Sequence, residues 1–265
     1  MDDAEITLAG GNSNSVVRVG DTVRRRVPGN GASVHALLRH LEERGFRYSP
    51  RFLGIDDRGR EVLAFIAGDA GLDPYSAAVR SERALVGCVR MVREYHDATT
   101  SFAGTARAWP GHRVCDLPVE VVCHGDLAPY NVVYRGESPV GLIDFDNAVA
   151  GSRVEDLAGL VHRLAPLSAP VNYAGSGWPD DVDTFARLRV IAGAYGDVDW
   201  SPLVELVLRR LDAMCAWITE RAGRGDPAVA VHVAEDHVGS YRADIRWIHE
   251  HRSRIEAAIA DARRP

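Results

Sequence analysis

Two aspartates and an asparagine stand where phosphoryl transfer needs oxygen. They lie in HGDLAPYN, His124–Asn131, and in IDFD, Ile143–Asp146. Asp126 sits in a short loop and is placed to accept the proton of an attacking hydroxyl. Asn131 offers a neutral amide oxygen, and Asp144 offers a carboxylate. Together they suit Mg²⁺ held against the phosphates of a nucleotide. Such transfer is mostly positioning and charge neutralisation, so a base and two oxygen ligands come close to a minimal set. Asp146 either supports this set, or holds a second metal, or is a solvated turn residue.

The elements around these residues must bring them together. Val121–Cys123 is apolar and ends a buried element just before His124. Gly125 permits a tight turn, and Pro129 stiffens the loop between base and ligand. Asn131–Arg135 reads as a strand, 136–139 as a turn and Val140–Phe145 as the returning strand. A hairpin returns to its starting edge, which puts Asp144 beside Asn131.

HGDLAPYNVVY, GLIDFDNA and GSRVEDLAGL together resemble the aminoglycoside phosphotransferase and choline kinase superfamily. The resemblance is specific from about Val121 to Leu160. It implies an α+β, protein-kinase-like bilobal fold, with a small antiparallel N-lobe carrying one helix and a larger, mainly helical C-lobe. The lobes would be residues 1–67 for nucleotide and 68–265 for the catalytic loop and acceptor. It implies Asp126 as catalytic base, His124 as the residue orienting its loop, Asn131 and Asp144 as Mg²⁺ ligands, and Asp156 as a structural acid. It further implies ATP or GTP as co-substrate and a hydroxyl-bearing small molecule as acceptor, with antibiotics the best-known case. A binding or immunity protein that kept the fold without turnover is the rival reading.

The N-terminal half carries weaker signals. Leu8–Val19 reads as strand, turn, strand, and Gly10, Gly11 and Ser13 either lay backbone N–H groups over phosphates or form a plain hairpin. Thr22–Val27, TVRRRV, lies where kinase-like folds carry a phosphate-binding lysine. Alternation puts Arg25 on the inner face with Val23 and Val27, and Arg24 and Arg26 towards solvent. The next helix, with Val34, Leu37, Leu38 and Leu41 on one face, is expected to be capped by Ser33. The family pattern places a glutamate early in it to pair with the basic residue. Here the region reads Val34-His35-Ala36, so that pair is absent or rebuilt. Backbone groups near Phe65 and Ile66 are expected to meet the adenine at the hinge, with the AGDAG stretch as linker.

Composition narrows the classes further. The chain has 265 residues, and all 31 of its basic residues are arginine, which excludes a P-loop lysine. Residues 1–67 hold ten arginines against nine acids, whereas the rest carries a net charge of −7. An acidic C-terminal part suits a cationic acceptor and argues against nucleic acid, although an ordinary acidic surface reads the same way. No apolar window is long enough for a membrane span, and the start lacks a basic signal region. Four cysteines without metal spacing read as reduced thiols of a cytoplasmic protein. The loop 166–183, with Trp178, Asp180, Asp181 and Asp183, is either an acceptor-binding region or solvated.

Overall fold

The computed structural model describes residues 4–8, 16–105, 107–109 and 111–262. The glycine-bearing turn with Gly10, Gly11 and Ser13 lies outside them.

The N-terminal part is a five-stranded antiparallel sheet. Strands β1 (Ile6–Thr7), β2 (Val17–Val19), β3 (Thr22–Arg26), β4 (Phe52–Ile55) and β5 (Arg60–Ala64) lie in the order β1-β2-β3-β5-β4. Its one long helix, α1 (Gly31–Glu43), buries the expected apolar face, with Val34, Leu37, Leu38 and Leu41 at most 1% exposed. Each such side chain contributes roughly 2 kcal/mol by leaving water.

Ser33 does not cap this helix. The N-cap is Asn30, in the left-handed region and without a side-chain cap bond, while the Ser33 hydroxyl donates to the Ala108 carbonyl at 2.9 Å. The chain enters the helix one turn earlier than the cap signal indicates, so Ser33 is already inside it.

Beyond the sheet, β6 (Asp69–Ala70) crosses to pair with β8 (Val132–Arg135), the strand that follows Asn131. Gly68 is required at this crossing. Its φ is +148°, and a Cβ there would sit 2.5 Å from the Tyr134 carbonyl oxygen. Helix α2 (Ala77–Arg80) leads into α3 (Glu82–Thr99); Leu85, Cys88, Val89, Val92 and Tyr95, which recur at helical spacing in the sequence, form a stripe buried throughout.

Then come β7 (Val121–Cys123), β8, β9 (Ser138–Leu142) and β10 (Val149–Gly151). β7 pairs with β10, and β8 with β9, so two ladders hold the His124–Asn131 loop from both sides. The β8–β9 turn is tighter than the sequence suggests, because Ser138 and Pro139 already belong to the returning strand.

The remainder is helical: α4 (Arg153–Leu164), α5 (Pro170–Tyr173), α6 (Thr184–Tyr195), α7 (Leu203–Gly223), α8 (Ala230–Ala234) and α9 (His237–Asp261). Leu157, Leu160, Ile191, Leu203 and Ile248 are fully buried between them. Among the described residues no helix is long and apolar enough to cross a membrane. All four cysteines are free and buried, Cys115 included, although its sequence surroundings are not apolar.

Candidate active site

The turn at Gly125 cannot carry a side chain. Its φ is +82°, and a Cβ would meet the Asn147 carbonyl oxygen at 2.1 Å. The loop passes directly against the segment that follows Asp144, so its glycine is a packing requirement as well as a conformational one.

Asp156 ties this loop to α4. Its carboxylate accepts from the backbone N–H of His124 at 2.7 Å and of Gly125 at 3.0 Å, and it pairs with His96 Nε2 at 3.0 Å. Burial alone would raise its pKa. The hydrogen bonds to His96 and to the loop outweigh burial and hold it below the usual carboxylate range. His96 is held in turn by the Tyr195 hydroxyl at 2.7 Å. From α7, Arg210 crosses over Gly159 of α4 to donate to the Gly125 carbonyl at 2.5 Å.

His124 is fully buried. Its Nδ1 accepts from the Asp126 backbone N–H at 3.4 Å, and its Nε2 donates to the Ile143 carbonyl at 2.9 Å. With both ring nitrogens engaged, the imidazole is fixed in orientation. It bridges the loop of Asp126 to the strand end before Asp144.

The three predicted oxygen donors converge. Asn131 donates its Nδ2 to the Asp126 carbonyl at 2.9 Å and to Asp126 Oδ2 at 3.0 Å, which leaves its amide oxygen uncommitted to that contact. Asp126 Oδ1 accepts from the Tyr130 hydroxyl at 3.1 Å. The Ile143 N–H donates to the Asn131 carbonyl at 2.9 Å, so Asp144 follows directly beside Asn131. Asp144 adopts a left-handed backbone, φ 65°, and ends the strand run at that point.

Arg25 reaches this edge from β3, as the register predicts. Its Nε donates to Glu61 at 2.5 Å, its Nη1 to Asp144 and Asp146 at 3.1 Å each, and its Nη2 to Asp146 at 2.5 Å. Burial works against its charge, but Asp146, Glu61 and Asp144 outweigh it and raise its pKa. Burial pushes the Asp146 carboxyl above its ordinary range; Arg25 opposes this, and Asp144 adds to it. Asp146 is thus neither solvated nor idle.

Glu61 is the residue the sequence reading missed. It lies opposite Arg25 in the β3–β5 ladder, is fully buried, and also meets His35 Nε2 at 2.6 Å. His35 occupies the early turn of α1 where a glutamate was expected. The acid has therefore moved to a strand, and the helix contributes its partner. Glu61 alternates with Leu63 on the inner face of β5, a signal that period two does contain.

Arg24 departs from expectation. It is half-buried on the other face and pairs with Asp56 at 3.6 Å, whereas Arg26 is exposed as predicted. Of the two residues expected at a hinge, Phe65 has its ring 4.0 Å from the Arg18 guanidinium, and Ile66 faces Gly141 of β9. The 166–183 segment is partly ordered rather than one open loop. Trp178 is buried beneath Arg187, Asp183 caps α6, and Asp180 and Asp181 are exposed.

Arg25 and His35 face the carboxylates of Glu61, Asp144 and Asp146, and Asn131 adds a neutral oxygen. That donor set fits Mg²⁺, which keeps much of its water and shares nucleotide phosphates. Among the described residues no three His, Cys, Asp or Glu side chains form a ready metal cage.

Residues 105–194 match the phosphotransferase enzyme family. A choline/ethanolamine kinase family protein from Mesorhizobium loti superposes with a TM-score of 0.65 at 16% identity, over 97% of this chain and 92% of that one. The GDP complex of aminoglycoside 2'-phosphotransferase-IIIa gives a TM-score of 0.54 at 16% identity, over 98% and 94%. The chain therefore shares the protein-kinase-like fold of these phosphotransferases, and its central segment matches the phosphotransferase enzyme family. An aminoglycoside phosphotransferase from Streptomyces rimosus, solved with ADP and streptomycin, gives a TM-score of 0.56 at 17% identity, over 79% and 92%. In sequence, the trifolitoxin immunity protein of Rhizobium leguminosarum bv. trifolii is 39% identical over 151 residues. That match covers 54% of this chain and only 56% of the immunity protein.

Proposed function

We propose that this protein is a small-molecule kinase that transfers the γ-phosphoryl group of ATP or GTP to a hydroxyl of its acceptor. The observation that carries the reading is the convergence of Asp126, Asn131 and Asp144 at one edge, with Arg25 delivered to the same edge from the N-terminal sheet.

In this reading residues 1–67 form the nucleotide lobe, with Phe65 and Ile66 at the hinge, and residues 68–265 form the catalytic and acceptor lobe. Asp126 orients the acceptor hydroxyl and takes its proton as the bond to phosphorus forms. Tyr130 and Asn131 hold the two carboxylate oxygens of Asp126 in place. His124 and Asp156 position the loop and touch no substrate. Arg25, charged at any working pH, faces the nucleotide phosphates with a planar fork of donors. Mg²⁺, held by Asn131 and Asp144, would neutralise phosphate charge as it is transferred.

The rival is a nucleotide- or peptide-binding immunity protein without turnover. It draws on the named function of the 39%-identical relative and on the engagement of Arg25 with Asp144 and Asp146. ATP consumption by purified protein, with and without Mg²⁺ and across aminoglycosides, nucleoside antibiotics, peptides and amino alcohols, separates the two. Asp126→Asn is expected to lower Mg²⁺-dependent turnover by about two to four orders of magnitude. A parent protein that binds Mg-ATP and never consumes it would establish the binder instead.

A further inference from the structure

A guanidinium has five N–H groups to give, and Arg25 commits most of them to carboxylates. It makes four hydrogen bonds to three acids: Nε to Glu61, Nη1 to Asp144 and to Asp146, and Nη2 to Asp146. One N–H of Nη2 is left to face a phosphate. A residue whose only task was to grip the nucleotide would not be bound this way.

The acids divide unequally. Both oxygens of Asp146 are filled by the fork, Oδ2 by Nη1 at 3.1 Å and Oδ1 by Nη2 at 2.5 Å. Asp144 gives Arg25 only its Oδ1, at 3.1 Å, and its side chain is 45% exposed against 25% for Asp146. Asp144 Oδ2 and the Asn131 amide oxygen are therefore the two acceptors left open at this edge. Two protein oxygens suffice for one Mg²⁺, which completes its shell with water and phosphate. They do not suffice for two, and the carboxylate that would hold another cation is already taken.

Arg25 is also anchored from behind. Glu61 is fully buried, and its second oxygen meets His35 Nε2 at 2.6 Å. The His35 ring stacks on Phe52 with centroids 3.8 Å apart. The guanidinium is thus gripped by the sheet on one side and by Asp144 and Asp146 on the other. Swinging it aside would strand the partly buried Asp146 carboxylate without its partner, which is costly.

We infer that Arg25, locked to Asp146, takes the place of a second metal ion, so that Asn131 and Asp144 hold one Mg²⁺ and the site holds no other. This decides between the roles that the sequence left open for Asp146: it positions a fixed cation and ligates no metal. A guanidinium suits that task because it is charged at any working pH and cannot dissociate from the chain. The inference rests on the kinase reading for the nucleotide, but the number of metal ions bound is read without turnover.

Mn²⁺ is the probe, because it shares the oxygen preference of Mg²⁺ and is seen by electron paramagnetic resonance. The protein is dialysed to equilibrium with saturating Mn²⁺ and the β,γ-imido analogue of ATP, which cannot transfer. Metal and nucleotide retained on the protein are then counted. The parent should retain one Mn²⁺ per bound nucleotide, with the spectrum of an isolated ion. The double variant Arg25→Gln/Glu61→Gln removes both halves of the buried pair and strands neither charge. It frees Asp146 and should retain two Mn²⁺, whose spectra couple at the separation of about 3.5–4 Å usual for paired metals. Asp146→Asn leaves the Arg25–Glu61 pair intact and should still retain one, which tests the claim even if the double variant fails to fold. Two Mn²⁺ on the parent, one on a folded double variant, or none on Asp146→Asn would each overturn the inference. Two on the parent with nucleotide bound would leave the kinase reading standing, whereas a parent that retains neither metal nor nucleotide would remove both.

Discussion

Replacing Glu61 should disable the nucleotide edge without touching any residue assigned to the chemistry. Glu61 is fully buried between Arg25 Nε at 2.5 Å and His35 Nε2 at 2.6 Å. Glu61→Ala leaves two polar partners facing an empty site. Breaking one partner out of a buried ion pair typically costs about 3–5 kcal/mol. Arg25 keeps Asp144 and Asp146, which places the expected loss near the lower end of that range. Glu61→Gln retains the shape and one acceptor oxygen, so about 1–2 kcal/mol is expected from the lost charge alone.

The functional effect should exceed the stability effect. Without Glu61, Arg25 is bound only by Asp144 and Asp146, which draws it further onto the carboxylates proposed for Mg²⁺. Mg-ATP affinity should therefore fall for Glu61→Gln even where the protein stays folded. Urea denaturation gives the stability change, and calorimetric titration with Mg-ATP gives the affinity. A loss below about 1 kcal/mol for Glu61→Ala, together with unchanged Mg-ATP affinity, would refute the claim that this strand acid replaces a helix glutamate.

Asp144→Ala should weaken Mg-nucleotide binding far more than nucleotide binding in EDTA, a comparison that titration calorimetry makes directly. Gly125→Ala should be severely destabilising, since the left-handed backbone alone costs about 1–2 kcal/mol and the added carbon collides with the Asn147 carbonyl oxygen. Thermal melting reads the loss, and a variant within about 2 °C of the parent, which corresponds to roughly 1 kcal/mol or less at this chain length, would contradict the loop geometry. Asp156 has a depressed folded pKa, so its stabilising effect is present above its unfolded pKa of about 4 and is lost as pH falls through the folded value. The melting-temperature gap between the parent and Asp156→Asn should accordingly be constant from pH 7 to 5 and narrow below about pH 4.

The local pattern of this chain contains its central site almost completely. Asp126, Asn131 and Asp144 are joined by a loop and a hairpin, and a hairpin brings its ends together wherever it is placed in a fold. Strand alternation likewise put Arg25 on the inner face, because side-chain direction in a strand is fixed by the backbone. Helical spacing identified the buried faces of α1 and α3 for the same reason. Tertiary structure decided the partners. Glu61 is 36 residues from Arg25, and only the β3–β5 register makes them neighbours. The backbone of His124 and Gly125 meets Asp156, more than thirty residues on, only once α4 has docked against their loop. Ser33 looked like a cap because cap signals are local, but the entry of α1 is set by how Asn30 and the Ala108 carbonyl meet. Pairing across a sheet or between helices depends on which elements dock and in what register, and spacing along a single segment carries no record of that.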